Sequence, residues 1–340
     1  MTIILDAMGS DQRPEPEIQA ALTAAELFGE EIILVGPEPL LRPKLDTLNT
    51  KNLPVIIENA DDVLEMGDKA VEDTKKKPNN SMAVGMRLLK SGRGQAFITA
   101  GNTGGAMFNA LRVLGRIKGL QRPALTALFP TKTGYCVVLD IGANAECRPE
   151  FLLQFALMGS QYAQKILRID QPRVGLLSNG EEAGKGNQLV KDTYPLLANS
   201  GLNFIGNVEG KEVFGGEVDV TVTDGFTGNI MLKSVEAAAK LITDILRTEL
   251  TASVRTKVGA ALAMPALKRM RAKMNPEEVG AAPLLGIDGL VFVGHGRSNA
   301  QALVSAIRVA REAVQANLID DMRQSIQLQI SQLEAASPTS

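Results

Sequence analysis

Short unbroken runs of aliphatic and β-branched residues punctuate the chain, each followed by a polar, glycine-bearing stretch. Ile3-Ile4-Leu5 comes first, then Ile32-Ile33-Leu34-Val35, Val55-Ile56-Ile57 and Ala96-Phe97-Ile98. Between them, residues 17–28 keep Ile18, Leu22, Ala25 and Leu27 near one face of a helix, and 81–90 predicts another helix. Residues 61–77 are polar and charged. The theme continues with strands over 135–140, 174–180, 203–208, 218–223 and 291–296 and a helix over 150–165. In the closing helix, Leu303, Ile307, Ala310 and Val314 fall on one face. Apolar runs without alternation, separated by helices, predict an α/β fold: a mainly parallel sheet covered on both faces, three layers in all. Beyond about Leu333 a frayed tail is expected, with 336–340 disordered.

Polar residues collect where these strands stop. Asp6, Asn102, Asp140, Asn144, Asn179, Asp224 and His295 all fall at or just after a predicted strand end, the edge at which open α/β sheets bind ligands. Any one of them has a competing reading as a helix cap, but seven together make a pocket the simpler account. One stretch stands out: Thr99-Ala100-Gly101-Asn102-Thr103-Gly104 follows a strand and opens a helix, and Thr223-Asp224-Gly225-Phe226-Thr227-Gly228 repeats its T-x-G-x-T-G pattern. Backbone N–H groups at a helix start welcome an anion. The expectation is that the two turns hold a phosphate between them.

Length, charge and cysteines narrow the class. A chain of 340 residues can bury a large core; one catalytic unit over 1–335 is expected, with two lobes, 1–125 with 285–335 and 126–250. The formal net charge of −2 argues against nucleic acid as a partner. Cys136 and Cys147 make no disulfide framework and suit a reducing compartment. No basic leader and no stretch of about 18 apolar residues is visible, so a cytoplasmic protein without a bilayer span is expected.

Several familiar chemistries fail on spacing. Gly101-Asn102-Thr103-Gly104-Gly105 lacks the dinucleotide fingerprint, and 180–186 is one residue short of a P-loop, with Gly186 where a magnesium-binding hydroxyl belongs. One histidine and two unpaired cysteines leave no structural zinc site; no metal and no cofactor are expected. Cys147 reads either as an acyl-accepting thiolate, which would need His295 beside it, or as a small half-buried residue.

Together, Asp6-Ala7-Met8-Gly9, Gly101-Asn102-Thr103-Gly104, Leu139-Asp140-Ile141-Gly142-Ala143-Asn144, Gly206-Asn207-Val208-Glu209-Gly210, Asp224-Gly225-Phe226-Thr227-Gly228-Asn229 and Gly294-His295-Gly296 resemble the bacterial acyl-ACP:phosphate acyltransferase (PlsX) family. The resemblance runs in order from residue 2 to about 318, with departures at Ser10, Asn79-Asn80 and Glu146. It implies a homodimer with a fold akin to isocitrate dehydrogenase and phosphotransacetylase. It implies transfer of a long-chain acyl group from acyl carrier protein to orthophosphate, with the acyl phosphate feeding a membrane glycerol-3-phosphate acyltransferase. An acyl-CoA:phosphate transferase and an inactive membrane scaffold are the alternatives.

Such a reaction asks the protein mainly to position phosphate and stabilise an oxyanion. Gly9, Gly101, Thr103, Gly104, Gly225, Thr227 and Gly228 suit phosphate or substrate binding. Lys185 could supply charge, while Asn102, Asn144, Asn179 and Asn229 could donate hydrogen bonds. His295 is the candidate oxyanion donor or proton shuttle, with a merely satisfied polar residue as its bland reading. Asp6, Asp140 and Asp224 would orient these groups. Residues 251–282 form an expected basic amphipathic hairpin, divided into two helical pieces by Pro265; between 251 and 275 it carries Arg255, Lys257, Lys268, Arg269, Arg271 and Lys273 and no acid. It would lie on an anionic membrane or receive the acidic carrier, or pack on a dimer partner.

Overall fold

The structure is a computed structural model that describes residues 1–49, 51–274 and 280–336, without side-chain detail at 271–274 and 330–336. In chain order the strands and helices are β1 (Thr2–Asp6), α1 (Glu15–Phe28), β2 (Glu31–Gly36), α2 (Glu38–Leu48), β3 (Val55–Asn59), α3 (Ala70–Lys76), α4 (Ser81–Lys90), β4 (Ala96–Thr99), α5 (Thr103–Val113), β5 (Ala124–Pro130), β6 (Tyr135–Leu139) and α6 (Pro149–Lys165). There follow β7 (Val174–Leu177), α7 (Gln188–Ala198), β8 (Phe204–Val208), α8 (Gly210–Gly215), β9 (Val220–Val222), α9 (Gly225–Thr251), α10 (Val254–Met274), β10 (Ala282–Leu285), β11 (Leu290–Val293), α11 (Ala300–Gln315) and α12 (Leu318–Ala336).

The described strands join one sheet in the order β3-β2-β1-β4-β11-β10-β5-β6-β9-β7-β8. Alternation along each strand sorts the core into two layers, as the pleat requires. Ile3, Leu5, Ile32, Leu34, Val137 and Leu139 pack with α1, α6, α7, α11 and α12 on one face. Ile4, Ile33, Val35, Phe97, Cys136 and Val138 pack with α4, α5 and α8 on the other. Helix starts are fixed by side chains that accept a backbone N–H in the first turn: Asn80, Asn102, Asn187, Asp224 and Asn299 do so for α4, α5, α7, α9 and α11.

Two strands were invisible in the pattern of apolar runs. β10 pairs antiparallel with β11 through Ala282 and Pro283, and antiparallel with β5 through Leu284 and Leu285. β5 in turn changes partner after Leu125 and runs antiparallel to β6 from Thr126 onward. Three antiparallel pairings therefore separate β4 from β6, so the second half of the sheet runs opposite to the first. Register places Thr99, beside Val293, level with Ala127 and Val138. Asp140 follows two residues further, about 7 Å along the strand direction. The two sets of strand ends are staggered towards each other, with the centre of the sheet between them.

Two expectations at the periphery need correction. Pro265 does not divide α10, which is continuous through it; Ala261, whose carbonyl loses its helical donor, is exposed on the same helix, so solvent is available to that carbonyl. The reversal lies at Ala252-Ser253, where Ser253 and Thr256 exchange backbone-to-hydroxyl bonds of 3.0 and 3.1 Å. The hairpin is thus α9 with α10, not 251–282, and its last expected residue, Ala282, belongs to the sheet; residues 275–279 lie outside the described ones. Helix α12 extends through Ala336, so no frayed tail begins at Leu333; residues 337–340 lie outside the described ones.

Candidate functional site

At the end of the first half, loops from β1, β4 and β11 converge. Asp6 is buried; its carboxylate accepts the Met8 N–H at 3.0 Å and the Thr99 hydroxyl at 2.6 Å. Thr99 Oγ1 then accepts the Gly101 N–H at 3.0 Å, which shapes the first turn. Burial raises the Asp6 carboxyl pKa, opposed by Thr99, Ser81, Met8 and Arg13. Gly9 lies against this turn so closely that a Cβ would sit 2.7 Å from the Ala100 nitrogen. Asn102 is the cap of α5: its carbonyl oxygen accepts the Gly105 N–H at 2.8 Å, and its amide donates to the carbonyls of Met66 and Asp68 at 2.9 and 3.0 Å. That side chain is fully engaged, so the expected role as a donor to substrate does not fit this arrangement. Exposed Thr103 and half-buried Gly104 begin α5, and among the described residues their backbone N–H groups carry no partner.

His295 follows β11, the neighbour of β4, and is exposed. Its Nδ1 accepts the Arg297 N–H at 3.2 Å, leaving Nε2 as the nitrogen directed to other partners. The same loop is tied to the β1 loop by the Asp11 N–H, which donates to the Gly296 carbonyl at 2.7 Å.

The second half has its own centre. Asp140, also fully buried, accepts the backbone N–H groups of Leu125, Gly142, Ala143 and Asn144 and the Asn144 side-chain amide, at 2.6 to 3.2 Å. Burial nonetheless raises its pKa. Asn144 spends its amide on Asp140 and on the Pro123 carbonyl at 2.7 Å. Asp224 caps α9, accepting the Thr227 N–H and hydroxyl, each at 2.8 Å. Gly225 donates its N–H to the Asn144 carbonyl, and Gly228 lies so near Asp140 that a Cβ would fall 1.9 Å from the latter's carbonyl oxygen. In this turn Phe226 alone keeps an open backbone N–H among the described residues. Asn229 is exposed beside Gly142. Asn179, also exposed, accepts the Gly186 N–H at 3.0 Å, and Lys185 stands exposed on that loop.

The two turns do not close on one anion. β4 and β9 are five positions apart in the sheet, about 24 Å at strand spacing, and they run in opposite directions. Each turn is buttressed from its own parallel neighbour, β1 or β6, and none of the contacts above joins one turn to the other. Periodicity revealed the strand ends but not the reversal between them. Cys147 lies in the second half with its thiol directed at the Asn144 carbonyl, and burial lifts its pKa to about 12. His295 lies three strands away across the sheet, so a Cys–His nucleophile is not assembled.

Sequence reasoning missed three supporting groups. Arg13 bonds the Met8 carbonyl and pairs with Glu65 at 2.7 Å. Lys77 pairs with Asp68 at 2.5 Å and so steadies the segment that holds Asn102. Buried Glu17 accepts the Ser10 N–H at 2.8 Å. A carboxylate on the inner face of an amphipathic helix was the one visible signal, at Glu17. Glu181, Glu209 and Glu212 cluster closely enough to suggest a cation site, but Lys211 pairs with all three at 2.5 to 3.5 Å.

These features define an α/β enzyme scaffold with polar loops at staggered strand ends. A sequence profile described as "Fatty acid synthesis protein" matches residues 1–321. A phosphate acyltransferase of Pelotomaculum thermopropionicum is 46% identical over 327 residues, covering 96% of this chain and 95% of that one. A phosphate acyltransferase of Thermus thermophilus is likewise 46% identical over 327 residues, covering 96% and 98%. The fold is similar to that of a phosphotransacetylase from Streptococcus pyogenes, with a TM-score of 0.61 at 16% identity over 94% of each chain. The chain belongs to the PlsX family of phosphate acyltransferases.

Proposed function

We propose that the protein transfers a long-chain fatty acyl group from acyl carrier protein to orthophosphate, giving acyl phosphate for phospholipid synthesis. Beyond family membership, the observation that carries the site assignment is the pair of open N–H groups at Thr103 and Gly104, one strand from His295. Two aligned donors at the start of α5 are a phosphate cradle. The corresponding start of α9 offers one such donor, so phosphate belongs to the first turn and not between the two.

A phosphate oxygen attacks the thioester carbonyl, forming the O–C bond, and the tetrahedral oxyanion takes a hydrogen bond from His295 Nε2. Collapse breaks the C–S bond and releases the pantetheine thiolate, a leaving group good enough to need little acid assistance. Asp6 and Asp140 act by ordering loops from beneath, since buried carboxylates would repel a phosphate dianion. Asn229, Lys185, Asn179 and the second turn line the path by which the acyl-pantetheine arm reaches across from the other half. Lys185 there offers charge to the arm's own phosphodiester, so its expected role at orthophosphate is replaced.

The partners follow from exposed surface. Leu241, Ile242 and Ile245 of α9 are more than half exposed, which supports a homodimer contact. α10 exposes Val258 and Leu262 with Arg255, Lys257, Lys268 and Arg269, which supports attachment to an anionic bilayer, where a glycerol-3-phosphate acyltransferase would take the product. Among the described residues no helix is long and apolar enough to cross a membrane.

The test is phosphate-dependent release of free carrier thiol, with acyl carrier protein and acyl-CoA thioesters assayed side by side. His295→Ala lowers turnover at least tenfold while the circular dichroism spectrum and melting temperature stay put; wild-type turnover in the folded variant removes His295 from the chemistry. Preference for acyl-CoA would overturn the carrier assignment and favour the phosphotransacetylase-like alternative.

A further inference from the structure

Glu17 takes no part in the chemistry above, yet it is completely buried and only half satisfied. One carboxylate oxygen accepts the Ser10 N–H; the other and the Ser10 hydroxyl lie buried near each other, close enough for the hydroxyl to favour the charged carboxylate but short of a well-formed hydrogen bond. Leaving such a group in a core is costly, so its position calls for a compensating role.

The next residue supplies one. Asp11 donates its N–H to the Gly296 carbonyl, and Gly296 fits so tightly there that a Cβ would come within 3.0 Å of Asp11 Oδ1. Gly296 sits between His295 and Arg297, whose N–H holds His295 Nδ1. A short chain of contacts thus runs from α1 through the β1 loop to the imidazole.

We propose that Glu17 is a positioning residue for His295, fixing the 10–11 segment and through it the loop that aims Nε2. The inference rests on the assignment of His295 made above. Burial, and secondarily the charge of Asp6, push the Glu17 carboxyl up to about 7, so it changes charge in the working range of pH. Asp6 is the charged group that acts on it. Arg13 acts on Asp6 and is paired with Glu65; Glu15 on the same helix is paired outward with Lys44; and Arg311 of α11 is held by Glu30. Either protonation state keeps one oxygen as acceptor for Ser10.

His295 is the sole histidine of the chain, so selective ¹⁵N-histidine labelling reports its two ring nitrogens without ambiguity. In the wild type the nitrogen shifts should show Nε2–H with Nδ1 accepting. Glu17→Ala should shift this towards a tautomer mixture and lower kcat about tenfold, with KM for phosphate unchanged within twofold. Glu17→Gln retains an acceptor oxygen and should restore both within twofold, whereas Glu17→Asp keeps the charge, draws the oxygen back, and should not. In a His295→Ala background, Glu17→Ala should cost nothing more. The proposal is overturned if Glu17→Ala leaves the nitrogen shifts and turnover at wild-type values, or if it costs its full factor without His295. Should the alanine variant not fold, a wild-type-like Glu17→Asp overturns it equally well. If His295→Ala alone is fully active, the catalytic assignment falls, while the nitrogen shifts still decide whether Glu17 orients the ring.

Discussion

The two T-x-G-x-T-G turns share a sequence pattern and a cap, and differ in what lies beneath them. In each, a side-chain oxygen accepts a first-turn N–H, from Asn102 at α5 and Asp224 at α9. In each, a buried aspartate at the end of the neighbouring parallel strand supports the turn. Asp6 accepts one backbone N–H and one hydroxyl; Asp140 accepts four backbone N–H groups and an amide. The first turn is therefore the more open and the second the more braced. A repeated motif can mark a repeated way of ending a strand without marking one shared ligand.

The largest effect should separate the two aspartates. Asp140→Ala strands four backbone donors in the interior and should cost about 3–5 kcal/mol, against about 1–3 kcal/mol for Asp6→Ala; urea unfolding of both variants measures the gap, and equal costs would erase the contrast. Next come the glycines. Gly228→Ala forces a methyl against the Asp140 carbonyl and should cost about 3 kcal/mol or more. Gly104→Ala meets the Ala70 methyl at 3.0 Å and the Asn102 cap oxygen at an ordinary 3.4 Å, and should stay within about 1 kcal/mol of wild type, helped by alanine's helix propensity.

A third prediction uses pH. The folded protein binds the Glu17 proton more tightly than the unfolded chain, with a pKa of about 7 against the 4.5 of an ordinary glutamate. That contribution to stability is full at low pH and is lost as pH rises through this window. Glu17→Gln cannot lose a proton, so between pH 5 and pH 8 it should gain on wild type by up to about 2–3 kcal/mol. Parallel unfolding curves at the two pH values would refute it. The smallest effect on stability concerns the hairpin: Leu262→Glu, at a site 81% exposed, should move stability by no more than about 0.5 kcal/mol, yet together with Leu267→Glu, at a half-buried site, should abolish flotation with anionic vesicles. Unchanged flotation rejects the membrane assignment.

Much of the scaffold could be read from residue pattern alone, because buried parallel strands advertise themselves as uninterrupted Ile, Val and Leu. β10 escaped because it is four residues long, contains Pro283, and gives two residues to each neighbour; nothing in its periodicity distinguishes it from a loop. β5 escaped with it, and with both went the reversal of direction that separates the turns. At the site, polar residues at strand ends were legible as a class. Their individual duties were not, because Asn102, Asn144 and Asp224 are consumed by local backbone groups that only the folded loops bring near.

That brief strand also bears on how the molecule comes to be. β4 lies early in the chain, but its neighbour β11 and the connecting β10 are made only after both long helices. A nascent chain emerging from the ribosome would carry its amino-terminal half with an unpaired strand edge until most of the polypeptide has been synthesised. Such distant pairing slows folding and leaves an edge open to aggregation in the interval. Shielding of that edge during translation becomes a requirement of the topology itself.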